Sequence, residues 1–226
     1  EIPAIPALNN FPLKATLKAK YPNHDFFLEN DAAAAAIGEF QFGKGDVSSN
    51  FLFITMGTGI GSALVLDGEV FKGSRGNALE MGHMLSRGNA GLETLIGRQG
   101  ILKIMANLIA AYPEKAGELV GKELGTHLLV DTARTGNEVS LMVFKEVAEI
   151  ISESIVSTIR VLDVTDVYFG GGIAAGLEFM MPTIEYNTRK YLTPYYVKDL
   201  KLKKDTLENN AGTLGAAALC FMDSGL

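Results

Sequence analysis

Asn30-Asp31 opens an alanine run, Gly57-Thr58-Gly59-Ile60-Gly61 lies between two apolar runs, and Glu80-Met81-Gly82-His83 follows a glycine-punctuated stretch. Asp31 supplies a carboxylate that could take the proton of an attacking hydroxyl. The glycines let backbone N–H groups approach anionic oxygens closely, and Thr58 adds a hydroxyl donor. Glu80 and His83 bring carboxylate acceptors and an imidazole, a set suited to a polyol whose hydroxyls each donate and accept. A base, a phosphate cradle and polyol contacts together are the equipment of a small-molecule kinase.

Each piece also has a plainer reading. Asn-Asp before alanines is a common helix cap, and both roles can hold if Asn30 caps while Asp31 faces a cleft. A glycine-rich turn can be no more than a tight hairpin, and Glu-x-x-His an ordinary surface loop. Gly170-Gly171-Gly172 is either a tight strand-to-helix turn or a place where the chain passes close to a flat ligand, with a helix N-terminus beyond that can face phosphate. Glu93 could be a first-turn acid of the helix it opens. His24 and His127 have no partner in the sequence that would assign them a role.

The elements that must position these residues follow from patterning. Residues 1–12 carry three prolines and read as an extended connector. Residues 13–20 have helical spacing, Phe26-Phe27-Leu28 is a short buried-strand candidate, and 32–40 form a strong helix capped by Asn30 or Asp31. Residues 43–50 are a polar loop. Residues 51–56 and 62–66 read as apolar strands, and Asp67-Gly68 signals a hairpin into 69–72. The glycine turn at Gly57 therefore joins strand to strand, which excludes a dinucleotide fingerprint or a Walker-type loop, since both run into a helix. Residues 73–87 are a glycine-punctuated loop, 92–111 a helix, and 117–131 ambiguous. Val143, Val147, Ile150, Ile151, Ile155 and Ile159 give 138–161 the period of a long amphipathic helix. Val167-Tyr168-Phe169 is a buried strand, followed by a helix at 177–191, a strand near 196–202 and a helix at 213–222. Strands alternating with helices predict an α/β sheet covered on both faces.

At 226 residues, 47% hydrophobic and 20% charged, the chain has the composition of a globular protein with a sizeable core. A net charge of −6 argues against a nucleic-acid surface, and the one basic cluster, at 198–204, is interrupted by Asp199. Cys220 is the only cysteine, so no intrachain disulfide or multi-thiolate metal site can form, and its apolar helix predicts a buried position. Neither a signal peptide nor an apolar span of membrane length is found, so no membrane partner is expected and cytoplasmic localisation is the default.

In order and wording the motifs resemble the ROK family of sugar kinases and sugar-responsive repressors, from about residue 5 to 218. The run from Gly57 to His83 carries the likeness, supported by Leu28-Glu29-Asn30-Asp31-Ala32 and Phe169-Gly170-Gly171-Gly172. The resemblance implies an actin-like ATPase (ribonuclease H-like) fold with a mixed sheet covered by helices. It implies phosphorylation of a hexose or N-acetylhexosamine, at the primary hydroxyl on C6, with ATP and Mg2+. Asp31 would be the base; Asn30, Glu80, His83 and Glu93 would hold the sugar. Gly57, Thr58 and Gly59 would hold phosphates, and Gly170, Gly171 and Gly172 would border the nucleotide. The same likeness allows a sugar-sensing repressor as the alternative, and implies a homo-oligomer.

Two departures qualify the carry-over. Family members begin with an Asp-x-Gly-Gly-Thr-type phosphate-binding segment that does not precede Glu1. The expectation is a larger C-terminal part of a longer protein, with 1–29 a connector and residual N-terminal lobe, 30–226 a sugar-kinase lobe, and little turnover by this part alone. Most members also carry a cysteine-rich zinc loop after the Gly-His pair. This chain has Ser86-Arg87-Gly88-Asn89-Ala90-Gly91-Leu92-Glu93, so the geometry of His83 must rest on hydrogen bonds and packing.

Overall fold

The computed structural model describes residues 8–222. Its centre is a five-stranded sheet in the order β3-β2-β1-β4-β5. β1 (Phe51–Met56), β2 (Ile60–Leu66) and β3 (Glu69–Val70) form an antiparallel meander. β4 (Asp166–Gly170) joins β1 in parallel, and β5 (Lys201–Lys204) joins β4 in parallel. β1 reads as a continuous apolar run because both its faces are covered. Leu52, Ile54 and Met56 point into one core and Phe51 and Phe53 into the other, the period-two alternation of a strand.

The larger core is built by α3 (Leu92–Ile96), α4 (Arg98–Ala111), α5 (Pro113–Ala116), α6 (Thr126–Arg134), α7 (Glu138–Leu162) and α8 (Leu177–Tyr191). α7 is capped by Asn137, whose side chain accepts from the Ser140 N–H at 3.0 Å, and Val143, Val147, Ile150, Ile151, Ile155 and Ile159 are buried along it. The opposite face is covered by α2 (Asp31–Phe42) and α10 (Ala211–Met222), with Phe51 stacked edge-on against Tyr168 beneath them. α1 (Leu13–Lys20) lies outside both cores with no buried residue, and α9 (Pro194–Val197) leads toward β5.

Four expectations need correction. Phe26, Phe27 and Leu28 form no strand and pair with none among the described residues, and Leu28 is 53% exposed. The helix expected over 92–111 is broken at Gly97, where a side chain would strike Glu93 O at 2.7 Å and Thr58 O at 3.1 Å. The strand expected near 196–202 is instead α9 followed by β5, because Pro194 starts a helical turn. Cys220 is exposed, since α10 buries Ala211, Gly215 and Ala218 on one face and Cys220 falls outside that stripe.

Candidate active site

Asn30 and Asp31 stand at the N-terminus of α2. The Asn30 side-chain oxygen accepts from the N–H groups of Ala32 (2.9 Å) and Ala33 (3.1 Å), so Asn30 is the cap. Asp31 is exposed, and its carboxylate accepts from the Ala32 N–H at 2.8 Å. The next residue, Ala32, is buried against Gly61: a side chain on Gly61 would come within 3.1 Å of the Ala32 methyl. The alanine run is thus a packing requirement, bringing the start of α2 onto the strand that leaves the glycine hairpin.

The hairpin itself is held by the Gly57 N–H donating to Gly59 O at 2.9 Å. Gly171, at φ 89°, lies so close to the end of β1 that a side chain would sit 2.5 Å from Met56 O. Both glycine turns therefore meet at the carboxyl ends of the parallel pair β1 and β4, where open α/β sheets take ligands. A cavity of about 300 Å³ opens there, lined by Gly57, Thr58 and Gly172 and walled by α6. This is within the size range of small-molecule sites.

Three expected phosphate or nucleotide residues thus line one cleft, and the other three shape it. The space beside Gly59 is occupied by the Glu93 carboxylate, 2.0 Å from where a side chain would begin. Gly170 is buried, with Asp205 and Phe53 each 2.9 Å from its missing side chain. Sequence reasoning missed Arg98, His127, Asp131 and Arg134, all of which line the cleft. His127, Val130, Asp131 and Arg134 follow the i, i+3, i+4, i+7 pattern of one helical face. That pattern could have found α6, although the preceding glycines obscured it.

A second, narrower cavity of about 70 Å³ brings Asn30 together with Glu80, alongside Glu29, Ser62, Lys72 and Asn77. Its volume holds a handful of waters, not a whole hexose. Lys72 closes one side by an ion pair of 2.7 Å to Glu29. The loop carrying Glu80 is pinned to β2 by Ser62, whose hydroxyl donates to Leu79 O and accepts from the Met81 N–H at 3.2 Å. Glu80 and His83 are exposed on a single helical turn, 4.0 Å apart. Behind them Gly82 presses against Ile60 O, 2.3 Å from where a side chain would begin. Glu93 accepts from the Ile60 N–H at 2.9 Å, which ties the first turn of α3 to the glycine hairpin.

Hydrogen bonds close the segment after His83. Ser86 N–H donates to Ala90 O at 2.8 Å, Leu92 N–H to Met84 O at 3.0 Å, and Arg87 forks onto the Glu153 carboxylate of α7. Among the described residues no group of three or more His, Cys, Asp or Glu side chains is placed to hold a metal ion. Among them, too, no helix is long and apolar enough to cross a membrane.

A mixed sheet in this order, with ligand clefts at its strand ends, is the architecture of the actin-like ATPases. Residues 1–222 match the profile of the ROK family, and the chain belongs to that family. It is 31% identical to the glucokinase of Thermotoga maritima, aligning 96% of this chain with 72% of that protein. It is 26% identical to the xylose repressor of Caldicellulosiruptor bescii, aligning 95% of this chain with 56% of the repressor. A crystallised sugar-kinase candidate from Cytophaga hutchinsonii superposes with a TM-score of 0.86 at 34% identity, over 94% of this chain and 71% of that one.

Proposed function

We propose that this chain carries the sugar-binding lobe of an ATP-dependent sugar kinase, acting on a hexose or N-acetylhexosamine at the C6 hydroxyl. The observation that carries the reading is the placement of Asp31. It starts a helix capped by Asn30, shares that helix end with the cavity containing Glu80, and lies one residue from the contact with the glycine hairpin. Asp31 accepts the proton of the attacking hydroxyl. Asn30, Glu80, His83 and the free oxygen of Glu93 hold the sugar, while the Gly57-Thr58 turn holds phosphate oxygens and Gly172 borders the nucleotide. The glycine-lined cleft, with the Arg98 guanidinium at its hairpin end, suits the phosphates of a nucleotide. ATP, when bound, supplies the γ-phosphoryl group, and Mg2+ accompanies its phosphates.

The Caldicellulosiruptor relative favours a second reading, a sugar-responsive repressor that uses the same pocket for sensing. Retention of Asp31 favours the enzyme, since a sensor needs no base. A coupled ADP-release assay over a hexose panel separates them, comparing the full-length protein with Asp31→Asn. We expect sugar-dependent ADP release that drops roughly 100-fold or more in the variant. Sugar-dependent DNA binding without ADP release establishes the repressor, and an unchanged kcat in Asp31→Asn removes Asp31 from the base role.

A further inference from the structure

Arg98 opens α4 directly against the glycine hairpin. Its backbone N–H donates to Thr58 O at 3.1 Å, and the preceding Gly97 has no room for a side chain against Thr58 O or Glu93 O. This contact breaks the 92–111 helix and sets the direction in which Arg98 leaves it. The side chain lines the same cleft as Gly57, Thr58 and Gly172. It is exposed, and among the described residues its guanidinium has no hydrogen-bond or ion-pair partner. The other guanidinium in the cleft, Arg134, is engaged by Glu178 at 3.4 Å. Asp131 faces the cleft from the same helix as Arg134, so anionic oxygens are disfavoured at that wall and favoured at the hairpin end.

We propose that Arg98 is a phosphate clamp: its guanidinium forks onto the phosphate oxygens of the nucleotide lying on the Gly57-Thr58 turn. The assignment rests on the phosphotransfer reading above and adds a residue to it. A guanidinium presents planar paired donors that match phosphate oxygens, and in a protein of net charge −6 an unpaired one facing a glycine turn selects anionic ligands. The clamp grips phosphate and not the nucleoside, so its contribution grades with phosphate number. The backbone bond to Thr58 supplies the positioning: clamp and cradle move as one unit.

The test titrates the full-length protein with ATP, ADP and adenosine by calorimetry, as wild type, Arg98→Ala and Arg98→Lys, and measures the KM for ATP and for sugar. In Arg98→Ala the affinity for ATP and ADP is expected to fall roughly tenfold or more, while adenosine affinity, sugar KM and melting temperature hold. Arg98→Lys recovers part of the loss, because an ammonium keeps the charge without the fork. If adenosine weakens as much as ATP, Arg98 shapes the cleft instead of gripping phosphate, and the proposal falls. It also falls if Arg98→Ala leaves the KM for ATP unchanged while wild type still shows sugar-dependent ADP release, a result that spares the kinase reading. A wild type that binds no nucleotide overturns both.

Discussion

Glu93 illustrates how a single side chain can link the glycine hairpin to the Met81–His83 turn. One carboxylate oxygen accepts from the Ile60 N–H at 2.9 Å and fills the volume beside Gly59, while its β-carbon lies against Gly82. Ile60 is 5% exposed, so no water stands ready to replace that acceptor. Glu93→Ala leaves a buried donor unpaired and is expected to cost about 1–3 kcal/mol of stability, read by urea unfolding. Glu93→Gln keeps an amide oxygen at the same reach and is expected to recover most of that loss. A Gln variant as unstable as the Ala variant would show that charge, and not the bond to Ile60, is what the fold requires. The same contact is by itself enough to require glycine at position 59, since the side-chain space is already taken.

At the scale of elements, most helices and strands were legible because their periodicity is local. β1 lies over the expected residues 51–56, and α2 and α7 start and stop within a few residues of their capping and apolar signals. What was not legible depends on contacts from elsewhere in the chain. Gly97 breaks a good helical pattern only because the hairpin lies against it, and Phe26 to Leu28 lack a neighbouring strand despite their strand-like composition. The residues proposed to hold the sugar are legible as types, but no local pattern signals that a backbone N–H would hold Glu93. Nor did it show that two acids meet where α2 reaches the end of β5. Glu39 is fully buried, and its carboxylate accepts from Thr206 through the N–H at 2.9 and 3.1 Å and the hydroxyl at 2.8 Å. Beside it Asp205 is 5% exposed, and its Oδ2 has no partner among the described residues. Burial and then the neighbouring Glu39 push the Asp205 carboxyl up to about 6, with Glu208 adding to the rise and Lys204 opposing it. The unfolded chain ionises this group near 3.8, so between these values the native state still holds a proton that the unfolded state has released. Stability therefore falls as pH rises through that window, by at most about 3 kcal/mol, and stays lowered above it. Asp205→Asn should raise the melting temperature at neutral pH, with the gain vanishing under acid conditions. A gain equal at every pH would assign the effect to packing instead of ionisation.

At the scale of the described molecule, α10 closes one face of the sheet. α10 crosses α2 at backbone contact: a side chain on Gly215 would lie 1.6 Å from Ala34 O, and one on Gly38 would lie 2.1 Å from Ala211 O. Neither obstacle is the movable tip of a side chain, so the helices must separate to admit a methyl group. α2 is the helix whose first turn carries Asn30 and Asp31 and whose Ala32 rests on Gly61. The C-terminal end of the described chain thereby sets the position of the proposed base relative to the glycine hairpin. Gly215→Ala is expected to destabilise the fold by about 1–3 kcal/mol through overpacking and to lower kcat along with it. Gly212 on the same helix provides the contrast, since a side chain there meets nothing within 4 Å. Gly212→Ala gains helix propensity and is expected to be neutral or stabilising by up to about 1 kcal/mol, with kcat unchanged. Thermal melts and ADP-release rates on the pair decide the matter. If Gly215→Ala melts and turns over like Gly212→Ala, the helix crossing does not position Asp31.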